Sequence, residues 1–164
     1  MGEEANLIGY KKVIDHLNEV WQAEFTAANQ LVLDAEMLKH WGFPDLAWRV
    51  RQHSIGSLRH AEAMLGRILF LGGPPPRLTG TLASLAGQCA KEQVENALAL
   101  ARMAAPCLHQ AIKLAAEARD DQSRNLLEAI LADREAQVDW LAVQLYMIRE
   151  LGIEHYRATY GGLG

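Results

Sequence analysis

The sequence predicts an all-α fold: a four-helix bundle with a long crossover between helices two and three and a short fifth helix at the C-terminal end. Three observations lead there. Four long segments are rich in Ala, Leu, Glu and Arg, which form helices readily, and no β-rich alternating run competes with them. Apolar residues within each segment recur at spacings of three and four, the mark of one buried helix face. Gly- and Pro-containing breaks separate the segments unevenly. Those after helices one and three suit antiparallel neighbours, whereas "LGGPPPRLTGT" is long enough to run the length of a bundle.

The helices are expected at about 10–40, 45–71, 88–118, 120–150 and 153–160, in a single domain covering 1–164. Helix one repeats at Val13, Leu17, Val20, Glu24, Ala27, Leu31 and Leu38, and ends near "HWGF" before Pro44. Helix two repeats at Leu46, Val50, His53, Ser57, His60, Met64 and Leu71, up to the run of three prolines. Helix three carries Val94, Leu98, Ala101, Ala105, Leu108 and Ile112, and stops at "ARDDQSR". Helix four carries Leu127, Ile130, Arg134, Gln137, Leu141, Leu145 and Ile148, and "ELGIEHY" separates it from the fifth.

Bulk composition excludes several classes. A chain of 164 residues can bury a sizeable core. Its net charge of −4 argues against electrostatic binding to nucleic acid. No apolar run approaches the ~20 residues needed to cross a bilayer. The N-terminal "MGEEANLIGYKK" lacks the features of a signal peptide. Two cysteines, Cys89 and Cys107, are too few for a disulfide framework, and read as small core or interface residues. A reducing, cytoplasmic setting is the expectation.

The informative residues are polar ones inside the apolar stripes. Glu24, His53, Ser57, His60, Arg134 and Gln137 stand where Leu or Ala would be expected. Burying a charge without a partner costs several kcal/mol. Each residue alone has a bland reading: a satisfied core histidine, a stripe misjudged by one position, an arginine reaching out to solvent. Together with Ala101, five of them, His53 apart, align at one level of the bundle and form one polar layer.

Several stretches resemble the bacterioferritin branch of the ferritin-like family. "KKVIDHLNEVWQAEFTAANQ" and "KHWG" are similar to the first helix and its end, and "SLRHAEAMLGRILFLGG" to the end of the second. "SRNLLEAILADREAQVDWLAVQLYMIRELGIEHY" resembles the fourth and fifth helices, with "VDWL" and "LGIEHY" as anchors. The resemblance implies a ferritin-like bundle in a hollow twenty-four-subunit shell that stores ferric mineral. It also implies a di-iron ferroxidase centre built from one Glu on helix one, Glu-x-x-His on helix two, one Glu on helix three and Glu-x-x-His on helix four.

Carried over residue by residue, that ligand set is incomplete. Glu24 and His60 match ligands and are remnant metal positions. Ser57, Ala101, Arg134 and Gln137 stand where Glu, Glu, Glu and His are required. Gln137 immediately precedes "VDWL", which secures the helix-four register; on helix three, Glu95 is the acidic residue that could be confused with Ala101. The family's haem is held at a twofold interface by a Met from each partner. Leu58 occupies that position and offers no donor, so haem is not expected unless a partner subunit supplies a Met. Inner-wall iron positions of the family fall on Gln52 and Gly56, with His53 between them.

The expectation is therefore a bacterioferritin-like subunit without its own ferroxidase activity, in a homomeric shell or mixed with an active paralogue. Iron as stored mineral remains open, and no resident cofactor is expected. The rival is a four-helix structural or interaction protein that kept the fold and lost iron handling; a third reading is a ferroxidase with rearranged ligands. Glu24 and Arg134 are expected to form a buried ion pair, since each charge resolves the other's desolvation. The family's twofold contact uses helices one and two, where Trp21, Phe25, Trp41, Trp48 and Leu58 are candidate contact residues.

Overall fold

The computed structural model describes residues 2–78 and 86–160. Among these residues five helices follow in order: α1 Gly2–His40, α2 Pro44–Phe70, α3 Ala90–Glu117, α4 Asp121–Leu151 and α5 Ile153–Tyr160. Among the described residues there is no strand. α1 begins well before the expected start near residue 10. Apolar periodicity reports a buried face, whereas the helix itself needs only the absence of a breaker. Gly9, at a cost of about 1 kcal/mol, does not stop it.

Each turn has a local cause. Gly42, at φ 87°, ends α1 in the left-handed region, and Phe43 N–H donates to the Leu38 carbonyl. Pro44 then occupies the first turn of α2, where its missing N–H costs nothing. Arg119 takes the equivalent left-handed role after α3 at φ 55° without being glycine. Asp120 caps α4 by accepting from Ser123 N–H at 3.0 Å. Pro106 lies inside α3 at an exposed position, where water can satisfy the carbonyl it leaves unpaired.

Pairings across the bundle fix the topology. Arg67, near the end of α2, reaches Asp120 and Ser123 at the start of α4. Gln93, near the start of α3, reaches Asp34 near the end of α1. α1 and α3, and likewise α2 and α4, therefore run antiparallel. The crossover must travel from one end of the bundle to the other. Its first part lies along α1, where Gln22 Nε2 donates to the Arg77 carbonyl at 3.1 Å. Residues 79–85 of this connection fall outside the described residues.

The core divides into two apolar clusters. One is built around Val13, Leu17, Trp21, Met64, Ile68, Leu108 and Leu127. The other gathers Leu31, Leu38, Leu46, Val50, Val94, Leu141 and Ile148, closed by Tyr156 of α5. Along α1, α2 and α4 the polar layer falls between them. Of the candidate contact residues, Trp21 is buried and stacked on Phe25, with centroids 5.2 Å apart, and Trp41 packs partly against the core. Trp48 and Leu58 face outward, 62% and 52% exposed. Cys107 is half-buried, but Cys89 is exposed at the start of α3, so it is not a core residue of the subunit.

The Arg67 cluster pins the end of α2 to the α3–α4 turn. Arg67 Nη2 meets Asp120 Oδ1 at 2.6 Å, and its Nε meets Ser123 Oγ at 2.9 Å. Burial pushes the Asp120 carboxyl up, but Ser123 and the Arg67 guanidinium outweigh it and hold the carboxyl below its ordinary range. Arg67→Ala removes a charge-assisted hydrogen bond to a buried carboxylate and is expected to cost about 2 kcal/mol, measured as a lowered urea midpoint. As a depressed carboxyl, Asp120 contributes stability above its unfolded pKa that fades as pH falls through the folded one. The variant should accordingly differ most from the parent at neutral pH and least in acid.

Candidate functional site

The polar layer is a continuous chain of ion pairs. Glu24 comes from α1, Ser57 and His60 from α2, and Asp133, Arg134 and Gln137 from α4. Each of the six except Asp133 was reached by the apolar repeat that also buries its neighbours. Glu24 is 1% exposed and Arg134 3%. Arg134 Nη2 donates to Glu24 Oε1 and, at 3.1 Å, to Ser57 Oγ, and Nη1 donates to Gln137 Oε1 at 2.5 Å. His60 Nδ1 bonds Glu24 Oε2 at 3.1 Å, and its Nε2 bonds Asp133 Oδ2 at 2.9 Å.

Charge follows from this pattern. An ionised carboxylate only accepts hydrogen bonds. With both carboxylates ionised, a ring that has one at each nitrogen donates from both, which favours the imidazolium form of His60. Burial pushes His60 down, but the bonds to Glu24 and Asp133 outweigh it and raise its pKa. Burial likewise pushes Glu24 up, and His60 and Arg134 outweigh that and hold it below the usual carboxylate range. Two anions and two cations thus balance within the layer. Glu24 has one oxygen committed to each cation.

The remaining sequence candidates are dispersed. Ala101 is buried in the second apolar cluster and brings only a methyl group. Glu95 is turned away, bonded to Arg149 of α4 at 3.0 Å. His53 packs on Trp140, 5.2 Å between ring centroids, rather than joining the chain. Gln52, His53 and Gly56 line a cavity between α2 and α4. Leu58 points away from the layer into solvent. Among the described residues no three His, Cys, Asp or Glu side chains gather as a metal-binding cluster.

Sequence reasoning missed Asp133. It sits one position off the apolar stripe of α4 and is largely exposed, so periodicity gives no signal for it. It also missed the buried Asp34, which accepts from Gln30 at 2.6 Å and from Gln93. For that residue a signal existed, because Leu31, Asp34 and Leu38 fall on one face at spacings of three and four.

Comparison with known proteins agrees with this architecture. A family model for the ferritin-like domain matches residues 14–151. The chain is 40% identical over 151 residues to a bacterioferritin of Mycobacterium leprae, covering 92% of this chain and 94% of the relative. It is 39% identical, with the same coverage, to bacterioferritin BfrA of Mycobacterium tuberculosis. To a bacterial ferritin of Pseudomonas aeruginosa it is 34% identical, over 90% of this chain and 96% of the relative. With the helical order, the crossover and these likenesses in agreement, the chain belongs to the bacterioferritin family of ferritin-like proteins.

Proposed function

We propose that this chain is a subunit of a cytoplasmic iron-storage shell that has no di-iron ferroxidase centre of its own. The observation that carries the reading is the Arg134 guanidinium bonded to Glu24 in the middle of the layer. Two ferrous ions need several hard, negatively charged oxygens. Of the residues at ligand positions, Ser57, Ala101 and Gln137 are neutral and Arg134 is a cation. His60 has both ring nitrogens engaged, one with Glu24 and one with Asp133. The donor set does not fit a di-iron centre, and no oxidation step is routed through it. Such a subunit serves storage by supplying wall and interior surface, with oxidation performed by an active paralogue in the same shell or by slower routes.

Stopped-flow mixing of the pure protein with ferrous iron and oxygen tests this. The expected result is slow, unsaturable oxidation. A fast phase that saturates at one di-iron equivalent per subunit and disappears in Glu24→Ala overturns it.

Assembly has its own support. Trp48 and Leu58 leave apolar surface outside the subunit on α2, and large aromatic residues are common anchors of interface cores. Leu58 has no donor atom, so a symmetric pair of these subunits holds no haem through that position. Native mass spectrometry of the complex from its own cells, with metal and haem analysis, distinguishes a homomeric from a mixed shell. A monodisperse monomer at micromolar concentration in physiological salt would exclude both. Among the described residues no helix is long and apolar enough to cross a membrane.

A further inference from the structure

A cavity of about 260 Å³ opens between α2 and α4, beside the polar layer. Water's share of liquid volume is about 30 Å³, so the space holds more than a single solvent molecule. Its walls are rich in hydrogen-bond donors: Arg49, Gln52, His53, His60, Arg134 and Gln137. Asp133 is the one carboxylate among the lining residues, and His60 Nε2 engages it at 2.9 Å.

Two lining residues carry buried polar atoms without a partner among the described residues: Arg134 Nε and His53 Nε2. Arg134 is 97% buried by complement of its 3% exposure, and its Nε–H can only donate. A buried donor left unmade is costly, more so on a charged group. Arg49 adds a second guanidinium. It lies over the Trp140 ring, 5.9 Å from the centroid, and Trp140 in turn packs on His53. Arg49 has no carboxylate partner among the described residues. Gln137 gives its Oε1 to Arg134, which leaves its amide hydrogens as its contribution to the cavity.

We propose that this cavity binds a small oxyanion of the phosphate type. The guanidinium of Arg49 is the charge at its mouth, and the buried His53 ring and Arg134 Nε lie behind the lining, turning toward the ion through a small shift of their side chains on binding. A phosphate-like ion is acceptor-only at the oxygens not carrying protons, so it meets the unmade donors and the unpaired Arg49 together. A water meets one donor and leaves the guanidinium unneutralised. A cation is disfavoured by both arginines. The field of these groups is already felt within the site: burial, Arg49 and Arg134 push the His53 pKa down to about 4.

The test is titration of the assembled, metal-free protein with inorganic phosphate at low ionic strength. Calorimetry gives the affinity, and tryptophan fluorescence reports Trp140. Saturable binding at one phosphate per subunit is expected. Arg49→Gln, a change at an exposed position outside the ion-pair layer, should weaken it by about tenfold or more. His53→Leu should also weaken it. Arg51→Gln, which removes an exposed cation of the same helix that does not line the cavity, should leave it unchanged. Absence of saturable binding overturns the proposal. So does equal weakening by Arg49→Gln and Arg51→Gln, or equal displacement by chloride at the same ionic strength, since both mark diffuse screening. Iron is absent throughout, so the outcome is separate from that of the ferroxidase test.

Discussion

Replacing Arg134 by alanine is expected to destabilise the subunit by about 3–5 kcal/mol, the largest loss of any single change in the layer. Three bonds disappear together, to Glu24, Ser57 and Gln137. Glu24 keeps only His60, and a cavity opens where the guanidinium stood. Arginine cannot relieve the opposite change by losing its proton, so Glu24→Ala should be comparably damaging. The double variant Glu24→Gln with Arg134→Met should recover much of the loss, because replacing both buried charges by groups of similar volume removes the desolvation problem as well as the attraction. Urea denaturation of the four proteins at one protein concentration measures this. A double variant as unstable as Arg134→Ala alone would show that the pair is not what holds the layer.

The layer also predicts a pH window. Glu24 is a depressed carboxyl, so its contribution is present above its unfolded pKa and lost as pH falls through the folded one. His60 is a raised imidazole, so its contribution is full below its unfolded pKa and lost as pH rises through the folded one. Bridging two carboxylates therefore makes stability decline on the alkaline side as well as in acid. His60→Gln should flatten the alkaline limb and also shrink Glu24's share of the acid limb, leaving the share that Asp120 contributes.

Much of this was legible in the residues. Long amphipathic repeats with strong helix formers specify where helices lie, and the uneven breaks specify which neighbours are antiparallel. The ends were less legible: nothing in the periodicity marks the beginning of α1 at Gly2, because a helix outlasts its buried stripe. In the layer, Glu24, Ser57, Arg134 and Gln137 stood out since each interrupts an apolar face. What periodicity does not encode is which polar groups touch. Asp133 reaches His60 from an exposed position, and His53, on the stripe itself, turns to Trp140 instead. Those choices depend on side-chain reach across the α2–α4 gap, a tertiary property absent from spacing along one helix.

Asp34→Asn is expected to change the pH dependence of stability by the next largest amount. Asp34 is fully buried between α1 and α3. One oxygen, Oδ1, accepts from Gln30 and Gln93, while Oδ2 has no partner among the described residues. Gln93 accepts in turn from Gly87 N–H at 2.7 Å, which ties the end of the crossover to this carboxyl. Burial outweighs the two amide bonds and raises the pKa from 3.8 to about 6. For an acid so raised, the folded state is favoured while the proton stays on. The contribution is full below the unfolded pKa and is lost as pH rises through about 6. At about 1.4 kcal/mol per pH unit, the difference between folded and unfolded pKa values amounts to about 3 kcal/mol lost by neutral pH. Asparagine keeps the accepting oxygen and has no charge to desolvate, although its amide hydrogens inherit the place of the unpartnered Oδ2. That fixed cost cancels when the variant is compared with the parent across pH. The stability difference between Asp34→Asn and the parent should thus move by about 2.4 kcal/mol in favour of the variant between pH 4 and pH 7.5, read from urea midpoints at matched protein concentration. A difference that stays constant across that range would mean that the carboxyl ionises at its ordinary pKa in the folded subunit.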